Sequence, residues 1–173
     1  MSDPRYPIGH FKRPAGLSKP ERDLLIAEVE ILPKCLRDVL RDFSEPMIQT
    51  PYREGGWTLG QVVHHLVDSH INSFCRFKLG LTEKIPVIRP YQEDAWARTA
   101  DAQGSIEDAV VLLDELHKRW VMLLRSMTDD EFERVIVHPD SGEWTLAQML
   151  ALYAWHGKHH LAHITETKKT NGW

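Results

Sequence analysis

Long apolar runs and blocks of one charge are both missing from this chain of 173 residues. No uncharged apolar stretch approaches the ~18 residues that a membrane span needs, and the first residues, MSDPRYPIGHFKRP, lack the apolar centre of a signal peptide. The formal net charge is -4 and no basic cluster occurs, so the sequence offers no basic patch that would bind a nucleic acid or an anionic membrane. We therefore expect a cytoplasmic protein without nucleic-acid or membrane partners.

Cysteine is also scarce. Cys35 and Cys75 stand alone inside helical patterns and form no CxxC pair, which favours small buried hydrophobic side chains over a disulfide or a reactive thiol. The length fits one domain that buries its core without disulfides or a structural metal. Any bound metal is therefore free to be functional.

Four segments have the periodicity and the start signals of long helices. The first extends from about Lys19 to Phe43 after the N-cap candidate Ser18, and the third opens at Ser105. The second and fourth begin with the same motif, Trp-Thr-Leu-x-Gln, at residues 57–61 and 144–148. A threonine and a glutamine at this spacing form a capping box, so helix initiation alone explains the repeat and a metal is not needed for it.

The segments between these helices complete the predicted architecture. Residues 1–17, rich in proline and glycine, should form an extended arm over the domain, and VIVHP at 135–139 alternates too briefly to build a sheet. Four helices of roughly 20 to 25 residues, separated by longer segments at 82–104 and 127–143, predict an all-α, antiparallel four-helix bundle. We expect a single domain over residues 1–173.

Histidine is abundant, and its distribution is the main functional signal. Seven of the ten histidines fall into two short clusters: His64, His65 and His70, then His156, His159, His160 and His163. The other three are scattered and receive no role: His10, His117 and His138.

On the fourth helix, three histidines share the face that points into the bundle. At 100° per residue, His156, His160 and His163 lie within about 60° of one another, and His159 sits at the edge of this face. Imidazoles at positions i and i+4 can bind a single ion. The alternative is that the rings only form hydrogen bonds with buried polar partners.

The second helix is less clear. His70 shares its apolar face, whereas His65 lies on a polar stripe, which we define by its residues Gln61, His65, Ser69, Asn72 and Arg76. A polar stripe is usually a solvated face. The alternative is that it lines a water-filled pocket in the bundle.

Several ordered segments resemble the YfiT branch of the DinB-like family: PIGHFKRP, TPYREGGWTLGQVVHHLVDSHINSFCRFKLGLTE, IRPY and YAWHGKHHLAHITE. The resemblance covers nearly the whole chain. It implies a four-helix bundle with an up-down-down-up connection, homodimerisation, and a divalent ion held by three histidines. The matching positions are His65, before the leucine of HHL, and His156 and His160 on the last helix. The resemblance thus favours His65 over His70 and favours the polar stripe as cavity lining.

One departure from the family concerns His163. Many relatives read HHRGQ where this chain reads HHLAH, at residues 159–163. His163 is therefore a second-shell partner, a substrate contact or an additional ligand. Arg76 could bind an anionic group of a substrate and Asn72 could orient one, the alternative being ordinary solvated side chains.

Three neutral imidazoles leave a coordination position open, which is the catalytic pattern for zinc. We expect one divalent ion per chain, zinc in the first place, with nickel as the alternative because imidazole suits both. The resemblance implies a metal-dependent hydrolase that activates water towards a small-molecule substrate. A second hypothesis is an S-transferase that uses a low-molecular-weight thiol as cosubstrate, similar to bacillithiol transferases, and a third is a non-catalytic metal-binding stress protein. No residue is assigned as general base.

Overall fold

A computed structural model describes residues 3–173 and contains four long helices with short elements between them. The long helices are α1 (Lys19–Leu40), α3 (Leu59–Thr82), α5 (Ile106–Ser126) and α7 (Leu146–Asn171). The short elements are α2 (Glu45–Ile48), α4 (Glu93–Trp96), a 3-10 turn (Asp101–Gln103), α6 (Asp129–Phe132), β1 (Val135–His138) and β2 (Gly142–Thr145). The predicted all-α four-helix bundle is confirmed. Within the described range, no helix is both long enough and apolar enough to cross a membrane.

The two copies of Trp-Thr-Leu-x-Gln start α3 and α7 by the same mechanism. The Thr58 hydroxyl accepts a hydrogen bond from the Gln61 backbone at 3.2 Å, and the Gln61 side chain accepts one from the Thr58 backbone at 3.0 Å. Thr145 and Gln148 repeat this reciprocal pair, with both distances at 3.1 Å. Each box satisfies donors that the first turn of a helix leaves free, so the sequence repeat is a repeated helix start.

Ion pairs show that α1 and α5 are antiparallel. Glu30, in the middle of α1, accepts from Arg125 at the end of α5 at 2.6 Å. Arg37, nearer the end of α1, lies 3.3 Å from Asp114 in the first half of α5. The residue numbers thus rise along one helix as they fall along the other.

Helices α3 and α7 are also antiparallel. His65, in the first half of α3, contacts His156 in the middle of α7. Arg76, near the end of α3, donates to the Tyr153 hydroxyl, which is closer to the start of α7. These two helices therefore face each other along the length that carries most of the histidines.

Helices α3 and α5 are parallel, and this completes the topology. His70 contacts His117, and seven residues further along α3, Phe77 packs on Trp120. With α1 taken as up, α5 and α3 run down and α7 runs up. The bundle has the up-down-down-up order that the family resemblance implied.

Two apolar clusters fill the two halves of the bundle, with polar side chains at the level between them. The apolar residues of the first half of α3 belong to one cluster and Phe77 belongs to the other; the former are Leu59, Val62, Val63, Leu66 and Val67. His70 lies between them on α3, as do residues 156–163 on α7 between Ala154 and Ile164. The core is therefore apolar at both ends, and the buried polar groups are concentrated at its middle.

The expectation that residues 135–139 build no sheet was wrong. Strands β1 and β2 form an antiparallel hairpin in which Ile136 pairs with Trp144. The Ile136 side chain is fully buried in the core, which anchors a ribbon too short to be stable alone. Gly142 has a φ of +78°, a backbone conformation that glycine adopts without steric cost, and it begins the second strand.

The described part of the N-terminal arm, residues 3–17, contacts α7 and the hairpin, and residues 1–2 lie outside the described range. The Phe11 ring lies 5.8 Å from that of Trp155, and the Arg13 guanidinium lies 4.1 Å from the centroid of Trp144. Gln148 donates from its side chain to the Pro14 carbonyl at 3.0 Å. The capping residue of α7 therefore also fastens the arm.

We predict that Thr145→Ala lowers the free energy of unfolding by ~1 kcal/mol, because it removes the hydroxyl that caps α7. Thr145→Ser keeps the hydroxyl and should retain most of the stability. Urea denaturation followed by far-UV circular dichroism measures both variants. Equal stability of Thr145→Ala and the wild type would contradict a stabilising cap.

Candidate metal centre

Three histidines from two antiparallel helices meet in the middle of the bundle, and we call them the three-histidine cluster: His65 of α3 with His156 and His160 of α7. The Nε2 atoms of His65 and His156 are 3.2 Å apart. One ring nitrogen from each of the three residues lies within 4.8 Å of the others. The structure thus brings together the three residues that were predicted as ligands.

The distance between the two Nε2 atoms fits a shared metal ion. Ligand nitrogens that bind zinc tetrahedrally at 2.0 to 2.1 Å stand about 3.3 Å from each other. The His65 and His156 nitrogens are separated by nearly this distance, 3.2 Å. An all-imidazole donor set of this kind suits zinc, nickel and other first-row divalent ions.

The protonation state of the cluster also suits a metal. Burial lowers the pKa of His65 to about 4, with a smaller contribution from the neighbouring His159. Burial, followed by the mutual influence of the rings, holds the pKa values of His156 and His160 well below their ordinary 6.5. Each ring is therefore neutral at pH 7 and keeps a lone pair for a metal.

His65 and His160 each contact a partner through Nδ1, on the side that faces away from the cluster. The Nε2 atom of each ring therefore remains free to point into the cluster. The Tyr91 hydroxyl lies 3.5 Å from Nδ1 of His65. Nδ1 of His160 lies 3.2 Å from Nδ1 of His163, whose Nε2 lies 3.4 Å from the Arg5 carbonyl oxygen. Ligand histidines in proteins have such partners, which orient the ring and select its tautomer.

His163 therefore lies behind His160, on the side of the ring that faces away from the three-histidine cluster. A different grouping, His159, His160 and His163, also has its ring nitrogens within 4.8 Å of one another. A neutral His160 has one lone pair, so it can serve only one of the two groups. The three-histidine cluster draws its ring nitrogens from two helices, α3 and α7, whereas the other grouping lies on α7 alone.

The polar stripe on α3 is not a solvated face at its centre. His65 is 5% exposed and Ser69 is 4% exposed, so the interpretation from periodicity alone was wrong at these positions. The reason is tertiary: the segment after α3 covers this side of the helix, where Gln61 donates to the Ala97 carbonyl at 2.8 Å. Trp57 packs against His65 with ring centroids 4.7 Å apart.

The two remaining candidate residues of the stripe are half-buried and already engaged. Arg76 donates to the Tyr153 hydroxyl at 3.1 Å and to the Arg89 carbonyl at 3.3 Å. Asn72 donates to the Asp68 carbonyl at 2.8 Å. Asn72 also lines a pocket of ≈ 500 Å³ together with Tyr91, whose hydroxyl faces His65.

Sequence reasoning missed His117, which was left without a role. It is 2% exposed, and its Nε2 lies 2.8 Å from Nδ1 of His70. The signal was its position on α5, four residues after the buried Leu113 and three before the buried Trp120. His70 itself stays outside the cluster and lies behind His156.

Comparison with known proteins gives a consistent picture. Residues 28–164 match the family model of the DinB superfamily. The chain is 49% identical over 173 residues to a protein of Bacillus cereus and to one of Bacillus anthracis, with 100% of both chains covered in each case. Both relatives carry the name "Putative metal-dependent hydrolase".

Two solved structures are similar. YfiT from Bacillus subtilis, described as a probable metal-dependent hydrolase with an unusual four-helix bundle topology, matches with a TM-score of 0.96 and 46% identity over 98% of each chain. TT2238, a four-helix bundle protein, matches with a TM-score of 0.58 and 21% identity over 84% of this chain and 98% of its own. The second likeness extends to the fold alone.

We predict that the metal-stripped protein loses stability as the pH falls from about 6.5 towards 4. Burial lowers the pKa of His117 to about 4, so in this range the unfolded chain binds a proton that the folded chain excludes. This histidine alone should cost about 3 kcal/mol across the window. Urea denaturation with a chelator at several pH values measures the effect.

The variant His117→Gln isolates this contribution, because acid also protonates carboxylates elsewhere. It should show a shallower loss between pH 6.5 and 4 than the wild type, whereas the matched His138→Gln, in the hairpin, should follow the wild type. A wild type and a His117→Gln variant with the same pH slope would contradict a buried neutral His117.

Proposed function

This chain belongs to the DinB superfamily, and on that premise we propose that it is a metal-dependent hydrolase of a small-molecule substrate. One divalent ion, zinc or alternatively nickel, is held by His65, His156 and His160. The observation that carries the proposal is the pair of neutral imidazoles from separate helices with Nε2 atoms 3.2 Å apart and a third ring beside them. The names of the relatives support the same class of activity.

A site with three protein ligands favours catalysis over a structural role. Structural zinc sites are closed by four protein ligands, whereas catalytic sites use three and keep a position for water or substrate. When bound in such a site, a divalent ion supplies Lewis acidity, which lowers the pKa of water and polarises an electrophile. The bundle has an apolar core on both sides of the cluster, so we expect it to fold without the metal.

The residues around the cluster would shape and orient a substrate. Trp57 packs on His65 and donates from its indole to Asp94 at 2.9 Å, which closes one side of the site with an apolar ring. Arg76 binds oxygens of neutral groups, so its positive charge remains available to an anionic group of a substrate. Asn72 borders the neighbouring pocket and can orient such a group.

The metal content of the untagged protein provides the first test. We expect near one divalent ion per chain in the wild type and its loss in His65→Ala, His156→Ala and His160→Ala, measured by elemental analysis. His138→Ala is the matched control and should retain the ion. A wild type that is metal-free and also binds neither added zinc nor added nickel would reject the proposal. If His65→Ala keeps the ion and His70→Ala loses it, the third ligand is His70 and not His65.

Turnover of a substrate panel tests the reaction class. Esters and amides are incubated with the loaded protein, with the chelated protein and with the chelated protein after metal is restored. We expect hydrolysis that disappears with the chelator and returns with the metal. A parallel panel pairs low-molecular-weight thiols with electrophiles, and turnover that requires the thiol would replace hydrolysis by S-transfer. A loaded protein without turnover on either panel would favour a non-catalytic metal-binding role.

A further inference from the structure

A row of hydrogen-bonded groups crosses the bundle and touches all four long helices. It starts at the Val29 carbonyl of α1, which lies 2.6 Å from Nδ1 of His117 on α5. Nε2 of His117 lies 2.8 Å from Nδ1 of His70 on α3, and Nε2 of His70 lies 3.3 Å from Nδ1 of His156 on α7. We call these three residues, His117, His70 and His156, the histidine row.

The two inner members of the row are neutral. His70 is 0% exposed and His117 is 2% exposed. A charged ring at these positions would lose its hydration, and the partners of both rings are imidazole nitrogens and a backbone carbonyl, none of which carries a negative charge. A neutral imidazole has one N–H donor and one acceptor nitrogen. Each ring in the row must therefore donate on one side and accept on the other.

The carbonyl at the start of the row sets the direction of every hydrogen bond. A backbone carbonyl only accepts, so Nδ1 of His117 carries the proton and its Nε2 accepts. Nδ1 of His70 then donates to His117, and Nε2 of His70 accepts. Nδ1 of His156 must donate to His70, which leaves Nε2 of His156 as a lone pair. That atom is the one that lies 3.2 Å from Nε2 of His65.

We propose that the Val29 carbonyl, acting through His117 and His70, holds His156 in the Nδ1–H tautomer and so presents its Nε2 to the metal. His70 and His117 are positioning residues, since they act on the ion through His156. The role rests on the metal site of the proposed function. It assigns a purpose to two buried histidines that the three-histidine cluster does not use.

The packing of His70 prevents an alternative arrangement of the ring. Trp120 and Tyr153 contact His70 edge to face, at centroid distances of 5.6 and 5.3 Å. The planes of His70 and His117 are within 7° of each other. A rotated His70 would leave polar nitrogens without partners in a fully buried site, which is unfavourable because water cannot replace the lost hydrogen bonds there.

A second, shorter row has the same design. Nδ1 of His160 faces His163, and Nε2 of His163 lies 3.4 Å from the Arg5 carbonyl oxygen. By the same reasoning His163 donates to Arg5 and accepts from Nδ1 of His160, which leaves Nε2 of His160 for the metal. Both ligands from α7 are thus backed by histidines that end on a backbone carbonyl.

The row does not serve as a pathway for protons. Its far end is a carbonyl oxygen, which has no proton to release and passes none to solvent. A proton taken up by His156 would have nowhere to go beyond His117. The row therefore keeps its protons in one fixed arrangement. We expect its effect to be visible in the tautomer of His156 and in the affinity for the metal.

Tautomers can be read directly from the histidine side chains. Long-range 15N–1H spectra of the metal-free protein distinguish a protonated Nδ1 from a protonated Nε2 and require no variant. We expect His117, His70 and His156 in the Nδ1–H form, and the same form for His156 after zinc is added. An Nε2–H tautomer for His156 in either state would overturn the proposal.

Zinc affinity, measured by competition with a chromophoric chelator, tests the effect of the row. His117→Leu removes the acceptor for His70, so His70 can adopt the other tautomer and oppose His156. We expect zinc binding to weaken 10- to 100-fold, as is typical when an outer partner of a ligand is lost. His117→Gln should bind within a few fold of the wild type, because its amide can donate to Val29 and accept from His70. His138→Leu is the matched control.

The outcomes separate this proposal from the proposed function. Unchanged zinc affinity in His117→Leu, together with an Nδ1–H His156, would overturn the row's role and leave the metal site intact. A wild type that binds no zinc would overturn both. Zinc binding with the expected tautomers and without hydrolysis would overturn the enzymatic assignment alone. Circular dichroism checks that each variant folds. If His117→Leu does not fold, the tautomers of the wild type and the zinc affinity of His117→Gln still test the proposal.

Discussion

A polar ring buried in an apolar core must find a hydrogen-bond partner, and this requirement shapes the middle of the bundle. Six histidines are buried between the two apolar halves: His65, His70, His117, His159, His160 and His163. Five of these rings, all except His159, contact hydrogen-bond partners, and the contacts end on backbone carbonyls of α1 and the N-terminal arm. Because each neutral imidazole has one donor and one acceptor, satisfying the outer rings leaves lone pairs at the centre, where a cation can bind.

The helix order makes this centre possible. In the up-down-down-up arrangement, α3 lies beside both α5 and α7, so one face of α3 presents His65 to α7 while His70 lies between α5 and α7. The first and second long helices are diagonal partners in this order. The cluster and its supporting residues therefore come from all four long helices. Their side chains meet at one level in the middle of the bundle.

The two sides of the three-histidine cluster differ: the side of His156 is tightly packed, and the side of His65 borders a pocket. The histidine row lies deep between apolar clusters, where a wrong tautomer or rotamer would strand polar atoms. On the side of His65, the segment between α3 and α5 covers the site with Tyr91, while Trp57 packs on the ring from the start of α3, and a pocket lined by Asn72 remains. The support can fix the donor atoms, while the covering segment shapes the pocket beside them. This division is common among enzymes, whose sites combine a rigid scaffold with variable loops.

Local chemistry in the sequence determined the four long helices, because capping boxes and apolar periodicity act within a few residues. The i, i+4 pair His156 and His160 was visible for the same reason. The choice of His65 over His70 needed the family resemblance, since periodicity along α3 alone placed His65 on a face that the segment after the helix buries. Only the tertiary structure revealed the hairpin, anchored by Ile136, and the place of His117. Those features depend on contacts between residues distant in the chain, which no local pattern encodes.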